Sequence, residues 1–144
     1  MEGIPSSLSA TFDSITTNPA AGSEVPTQTV PDGKFWWLKG FSVACVQGLT
    51  QTPQPILIVD DGTNVIFEMF GSSAAQAAST TCRYTWGPAL PLTGQVGSGA
   101  GVHSTSPLPY MLVMRAGWRI STLTLGIGAN TDYGVGTLYV VEFG

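Results

Sequence analysis

Charge is the scarcest property of this chain: Lys, Arg, Asp and Glu together make 10% of its 144 residues, against about 25% in an average soluble domain. Polarity comes instead from Ser, Thr, Asn, Gln and Gly. Neutral polar groups guard poorly against association, because scattered charge is what keeps a monomer soluble and single. Such a surface suits a subunit of an assembly. The five cations, Lys34, Lys39, Arg83, Arg115 and Arg119, and a net charge of -4 supply neither a basic stripe for a nucleic-acid backbone nor a polybasic patch for a membrane. No apolar run approaches the roughly 18 to 20 residues that span a bilayer. The opening segment "MEGIPSSLSATFD" carries Glu2 and no apolar core, unlike a secretory leader, and fits a protein made in a cytoplasm.

Residues that carry chemistry are equally few. The single histidine, His103, lies in "GAGVHSTSP", which reads as an exposed loop, yet any Ser-His-acid or Cys-His site would have to use it. Cys45 and Cys82 could form one disulfide, but two cysteines without a leader read better as buried free thiols, and with one histidine they make no zinc pattern. Asp60 and Asp61 stand in "VDDGTNV" between two apolar runs, which is hairpin-turn chemistry rather than a calcium site. The glycine clusters "GQVGSGAG" (94–101) and "GIGAN" (126–130) join no strand to a helix and precede no Lys-Ser or Lys-Thr, so they read as loops and turns, not phosphate cradles. No catalytic residue, metal site or cofactor is expected.

A helical period is missing throughout. The 18 glycines and 10 prolines punctuate apolar runs that are short and β-branched, and even "SSAAQAAST" (72–80) reads as a loop. Residues 1–30 are poor in large apolar groups and hold Pro5, Pro19 and Pro26; they read as an N-terminal arm with one strand in "LSATFDSIT". Residues 31–144 read as one all-β domain, an antiparallel β-sandwich of jelly-roll-like type. Its strands are expected at 34–46, 55–60, 65–70 and 82–87. A Gly/Pro/Ser-rich connection follows at 88–109, and the last strands lie in "YMLVMR", "WRISTLTLGI" and "YGVGTLYVVEF". Strict alternation along 34–46 would place Phe35, Trp37, Lys39, Phe41 and Val43 on one face, and Trp36, Leu38 and Ala44 on the other. Both faces would then be apolar, whereas a sheet with one wet face alternates cleanly. The outer face of at least one sheet is therefore expected to be covered by the arm, the 88–109 loop or another subunit.

The arm, "PDGKFWWLKGFSVAC" with its P-x-G-x-x-W-x-L cadence, "ILIVDDG", "MRAGWRISTLTLGIG" and the closing "GTLYVVEFG" together resemble small β-rich virion proteins of tailed bacteriophages, most of all capsid decoration (cement) proteins. The resemblance covers residues 31–144. It implies a jelly-roll-like sandwich that forms a homotrimer on the capsid surface of the virion and binds the major capsid protein where capsomers meet, anchored by its arm. Phe12 and Ile15 in the arm, the pair Trp36 and Trp37, and Trp118 are the contact candidates. The alternative is a receptor- or glycan-binding module of a head fibre or tail tip. There the 88–109 loop and exposed Trp and Tyr rings would stack on a host sugar.

Overall fold

The computed structural model describes residues 9–15, 18–48 and 51–144, with the backbone alone over 9–15. Among these residues the chain forms eleven strands: β1 (Ser9–Ile15), β2 (Gln28–Thr29), β3 (Phe35–Gln47), β4 (Gln54–Asp60), β5 (Val65–Phe70), β6 (Thr81–Pro88), β7 (Val102–Leu108), β8 (Val113–Arg115), β9 (Arg119–Leu125), β10 (Thr131–Tyr133) and β11 (Gly136–Phe143). The only helical element among them is one 3-10 turn, Gly99–Gly101. A seven-stranded sheet runs β1-β11-β3-β6-β7, with β8 and β10 pairing opposite ends of β3, and a four-stranded sheet runs β2-β9-β4-β5. The expected all-β sandwich is present. Every pairing is antiparallel except β6–β7, which is parallel, so the large sheet is mixed, and its strand order does not establish a jelly roll.

The two sheets enclose one core. Trp86 packs on Phe41 and Tyr84 at ring separations of 5.7 and 6.1 Å, and Leu57, Val59 and Ile120 reach this core from the small sheet. Gly71 lets β5 pass close beneath these rings, since a Cβ there would lie 2.7 Å from the Tyr84 ring and 2.8 Å from Trp86. The Trp86 indole N–H donates to the Met69 carbonyl at 3.0 Å, tying β5 to the large sheet.

The reading of β3 as a regularly alternating strand is corrected by a β-bulge. Tyr139 of β11 lies opposite Gly40, but Val140 lies opposite Leu38, so Lys39 is an extra residue on β3. A bulge shifts the two-residue phase of the strand. Trp36 and Leu38 before it, and Phe41, Val43 and Cys45 after it, therefore all face the core and are buried. Gly40 allows the tight crossing, because a Cβ there would come within 3.3 Å of both the Trp86 carbonyl oxygen and the Tyr139 ring. The opposite face of β3 retains Phe35, Trp37, Lys39, Ala44 and Val46.

Two further expectations are revised. Residues 102–108 are strand β7, not part of a loop. Val102, Ser104, Ser106 and Leu108 point inward, the serines leaving room for the large rings of β6. The boundary at residue 30 is also not a structural one. β1 pairs with β11 along its length, Val25 and Val30 are core residues, and β2 pairs with β9. The Glu24 carboxylate accepts hydrogen bonds from the Thr122 and Thr124 hydroxyls and from the Thr124 amide at 2.9 Å. Residues 18–30 are thereby fastened across β9, as part of the sandwich.

Candidate interaction surface

The two turn aspartates that could have carried chemistry are engaged in structure. Asp60 Oδ1 accepts from the Gly62 amide at 2.8 Å and from Arg119 Nε at 2.8 Å. Asp61 Oδ1 accepts from the amides of Asn64 at 2.7 Å and Thr63 at 2.8 Å, and these donors hold its carboxyl below the ordinary range. This is the hairpin turn read from the sequence. His103 is exposed on β7, where its backbone exchanges hydrogen bonds with Val96 at 2.9 Å. Among the described residues no three His, Cys, Asp or Glu side chains converge as metal ligands. A cavity of about 370 Å³ between the end of β3 and the 3-10 turn is lined by Val46, Gln47, Thr80, Thr81 and their small neighbours, with no charged side chain.

Cys45 and Cys82 lie directly opposite one another on β3 and β6 and are buried free thiols, as expected. Burial, reinforced by the facing Cys82, pushes the Cys45 thiol up from 9.0 to about 12; burial also raises Cys82, against a hydrogen bond from Ser104 that lowers it. The thiolate is the nucleophile, so neither thiol is expected to react with an aromatic disulfide reagent at pH 8 while the protein is folded, and both should react in denaturant. One fast-reacting thiol in the native protein would contradict this.

The contact candidates fare differently. Trp36 is corrected: it is a core residue, and its indole N–H donates to Glu142 Oε2 at 2.8 Å. Trp37 faces outward, half-buried. Lys39 Nζ lies 3.9 Å from the centroid of the ring, and its indole N–H donates to the Tyr110 carbonyl at 3.2 Å. Trp118 is half-buried and packs against the core. The backbones of Phe12 and Ile15 stand opposite Tyr139 and Gly136 in the β1–β11 ladder, while their side chains lie outside the described residues. The sugar-stacking platform loses half of its rings, since Trp36, Trp86, Tyr84 and Tyr133 are buried. Tyr110 is 73% exposed.

The surface missed in the sequence is the outer face of the small sheet. Leu57 and Val59 of β4, Phe67 and Met69 of β5 and Ile120 of β9 turn to the core. Their alternates Ile56, Ile58, Ile66, Phe70, Leu123 and Leu125 therefore turn away from it. The ladder aligns Leu123, Ile56 and Phe70 in one row across three strands. Ile56 forms the floor of a hollow of about 270 Å³ lined also by Glu68, Met69 and Phe70. Glu68 is the one unpaired charge among these alternates; at the far end Asp60 and Arg119 neutralise one another at 2.8 Å. The sequence signal for this face was the unbroken apolar character of "PILIVD" and "VIFEMF", which strict alternation could not place.

No protein-family model matches the chain, and comparison with curated proteins and with solved structures returned no match.

Proposed function

We propose that this chain is a non-catalytic structural protein, a decoration subunit of a phage capsid. In this reading it acts as a homotrimer, binding the major capsid protein at capsomer contacts on the assembled head. The observation that carries the reading is the outward apolar face of the small sheet, in a chain with few charges to keep it solitary. Monomeric proteins rarely expose contiguous apolar patches above a few hundred Å². Burial of Trp36, Trp86, Tyr84 and Tyr133, half of the Trp and Tyr rings, weighs against the glycan-binding alternative. The mechanism is mass action: a subunit that binds only the assembled shell stabilises it by RT ln(1 + [L]/Kd), about 2.7 kcal/mol per site at a hundredfold excess over Kd. Attachment through several subunits raises this further through effective concentration.

Two measurements test it. Light scattering is expected to give a mass of 45 kDa, three times 15.0 kDa. In sedimentation with expanded heads of the phage that encodes it, the protein is expected to pellet with the heads and to ignore unassembled coat protein. A protein that stays in the supernatant with heads at micromolar concentration is not a decoration subunit.

A further inference from the structure

We infer that the outer face of the four-stranded sheet is an interface between copies of this chain, with the Leu123–Leu125 ridge of one copy seated in the hollow over Ile56 of the next. Three observations lead there. The first is area. Leu123, Leu125, Ile66 and Phe70 are 38–50% exposed and contiguous with Ile56 and Ile58, giving an apolar area on the order of 400 Å². That is within the roughly 300 to 600 Å² of a monomer's largest apolar patch, which is often its functional surface, and it can form the centre of an interface that buries about 800 Å² on each partner.

The second observation is charge, which decides between the two faces of the sandwich. The outer face of the large sheet carries Lys39, Arg83 and Arg115, each exposed beside strand neighbours that point inward, against the single carboxylate of Asp132 opposite Val46. Three of the five cations of the chain thus share one face. Two copies meeting through that face would bring like charges together, which suppresses association. The small-sheet face brings only Glu68, at the rim of the hollow, and a neutralised Asp60–Arg119 pair. A partner of either strong charge gains little there, whereas an equally uncharged second copy does.

The third is the sheet edge. β5 is the last strand of its sheet, and among the described residues no strand pairs with its outer edge. Solitary proteins blunt such an edge with charge, Pro or bulges; "VIFEMF" has one charge, Glu68, no Lys or Pro, and a ladder that shifts register only at its Val65 end. By contrast β7, at one edge of the large sheet, is covered by the segment carrying Thr93 and Val96. A second copy over the small sheet shelters both the apolar face and the strand that borders it.

The inference deepens the homotrimer of the proposed function by naming the surface that joins its copies, and the shell-binding role fails separately from it. By light scattering the wild-type protein is expected as a multiple of 15.0 kDa. Leu123→Glu is expected to return it to 15.0 kDa with an unchanged circular dichroism spectrum, weakening self-association about 100-fold. Lys39→Glu on the opposite face should leave the mass as it is. Should Leu123→Glu fail to fold, dilution of the wild type carries the test: the methyl resonances of Ile58, Ile66 and Leu123 should shift as oligomer gives way to monomer. A wild type that is monomeric at millimolar concentration, a Leu123→Glu protein of wild-type mass, or methyl shifts confined to the large sheet each overturn the inference. A Leu123→Glu monomer that still binds heads supports it, and an oligomer that ignores heads leaves it standing while removing the decoration role.

Discussion

Replacing Gln76 by leucine is expected to lower the unfolding free energy by about 3 kcal/mol, a large share of the 5 to 15 kcal/mol typical of a domain. Gln76 is fully buried and is bonded at both ends of its amide. Nε2 donates to the carbonyls of Cys45 at 3.0 Å and Thr80 at 2.9 Å, and Oε1 accepts from the Tyr84 hydroxyl at 2.9 Å. Leucine fills a similar volume and removes all three bonds. The Thr80 carbonyl keeps the Gln47 amide as a donor at 2.9 Å and Cys45 stays paired with Cys82 in the β3–β6 ladder, so the loss concentrates on the Tyr84 phenol. Burying an unpaired polar group costs roughly 1 to 3 kcal/mol. The check is the urea midpoint at unchanged slope. Tyr84→Phe alone should cost less, about 1 to 2 kcal/mol, because it leaves one acceptor unpaired. The double variant should cost less than the two singles added together, because neighbours in one network couple. A loss below 1 kcal/mol for Gln76→Leu, or strict additivity, would show that this amide does not hold the loop to the core.

Gln76 also marks where the sequence stopped being legible. Strand-rich segments with β-branched and aromatic residues announced themselves: "VIFEMF" was expected at 65–70 and is β5 at Val65–Phe70, and "PILIVD" falls within β4. The loop at 72–80 was also expected, but nothing in "SSAAQAAST" distinguishes a glutamine that faces water from one that plugs the core. That depends on β3, β6 and the loop meeting in space. The same holds for β7, whose inward serines look like loop residues until Trp86 and Tyr84 are seen to occupy the volume above them. The bulge at Lys39 was hidden for a different reason. A two-residue period cannot reveal an inserted residue, so Trp36 and Phe41 were assigned to opposite faces although both lie in the core. The expectation of apolar side chains outside the core holds for Phe35 and Val46 on the outer face of β3, but it missed the outer face of the small sheet. β3 turns Trp36 and Phe41 into the core and keeps Phe35 and Val46 exposed, while β5 and β9 expose Ile66, Phe70, Leu123 and Leu125.

Alkaline pH is expected to unfold the protein cooperatively between about pH 10 and 12, the second large effect. Burial raises the Cys45 thiol from 9.0 to about 12, and raises the Cys82 thiol and the phenols of Tyr84 and Tyr133 above their ordinary values. A group whose value is raised on folding holds its proton more tightly in the native state. Its stabilising contribution is complete below the unfolded value and is lost as pH rises toward the folded one. For Cys45 alone the loss is about 1.4 kcal/mol per pH unit above 9, or about 4 kcal/mol by pH 12, and the two phenols add to it above pH 10. These four groups should therefore leave stability unaffected up to pH 8, after which the melting temperature falls ever more steeply. Tyr84 and Tyr133 should acquire tyrosinate absorbance only together with the loss of β-sheet circular dichroism. Cys45→Ala, which deletes the largest thiol contribution, should shift the alkaline midpoint upward even though the cavity it leaves lowers stability at pH 7. Opposite signs at the two pH values separate titration of a buried group from simple loss of packing. A melting temperature that stays level to pH 12, or a Cys45→Ala protein that is weaker by the same amount at every pH, would show that burial of these groups does not govern the alkaline limit.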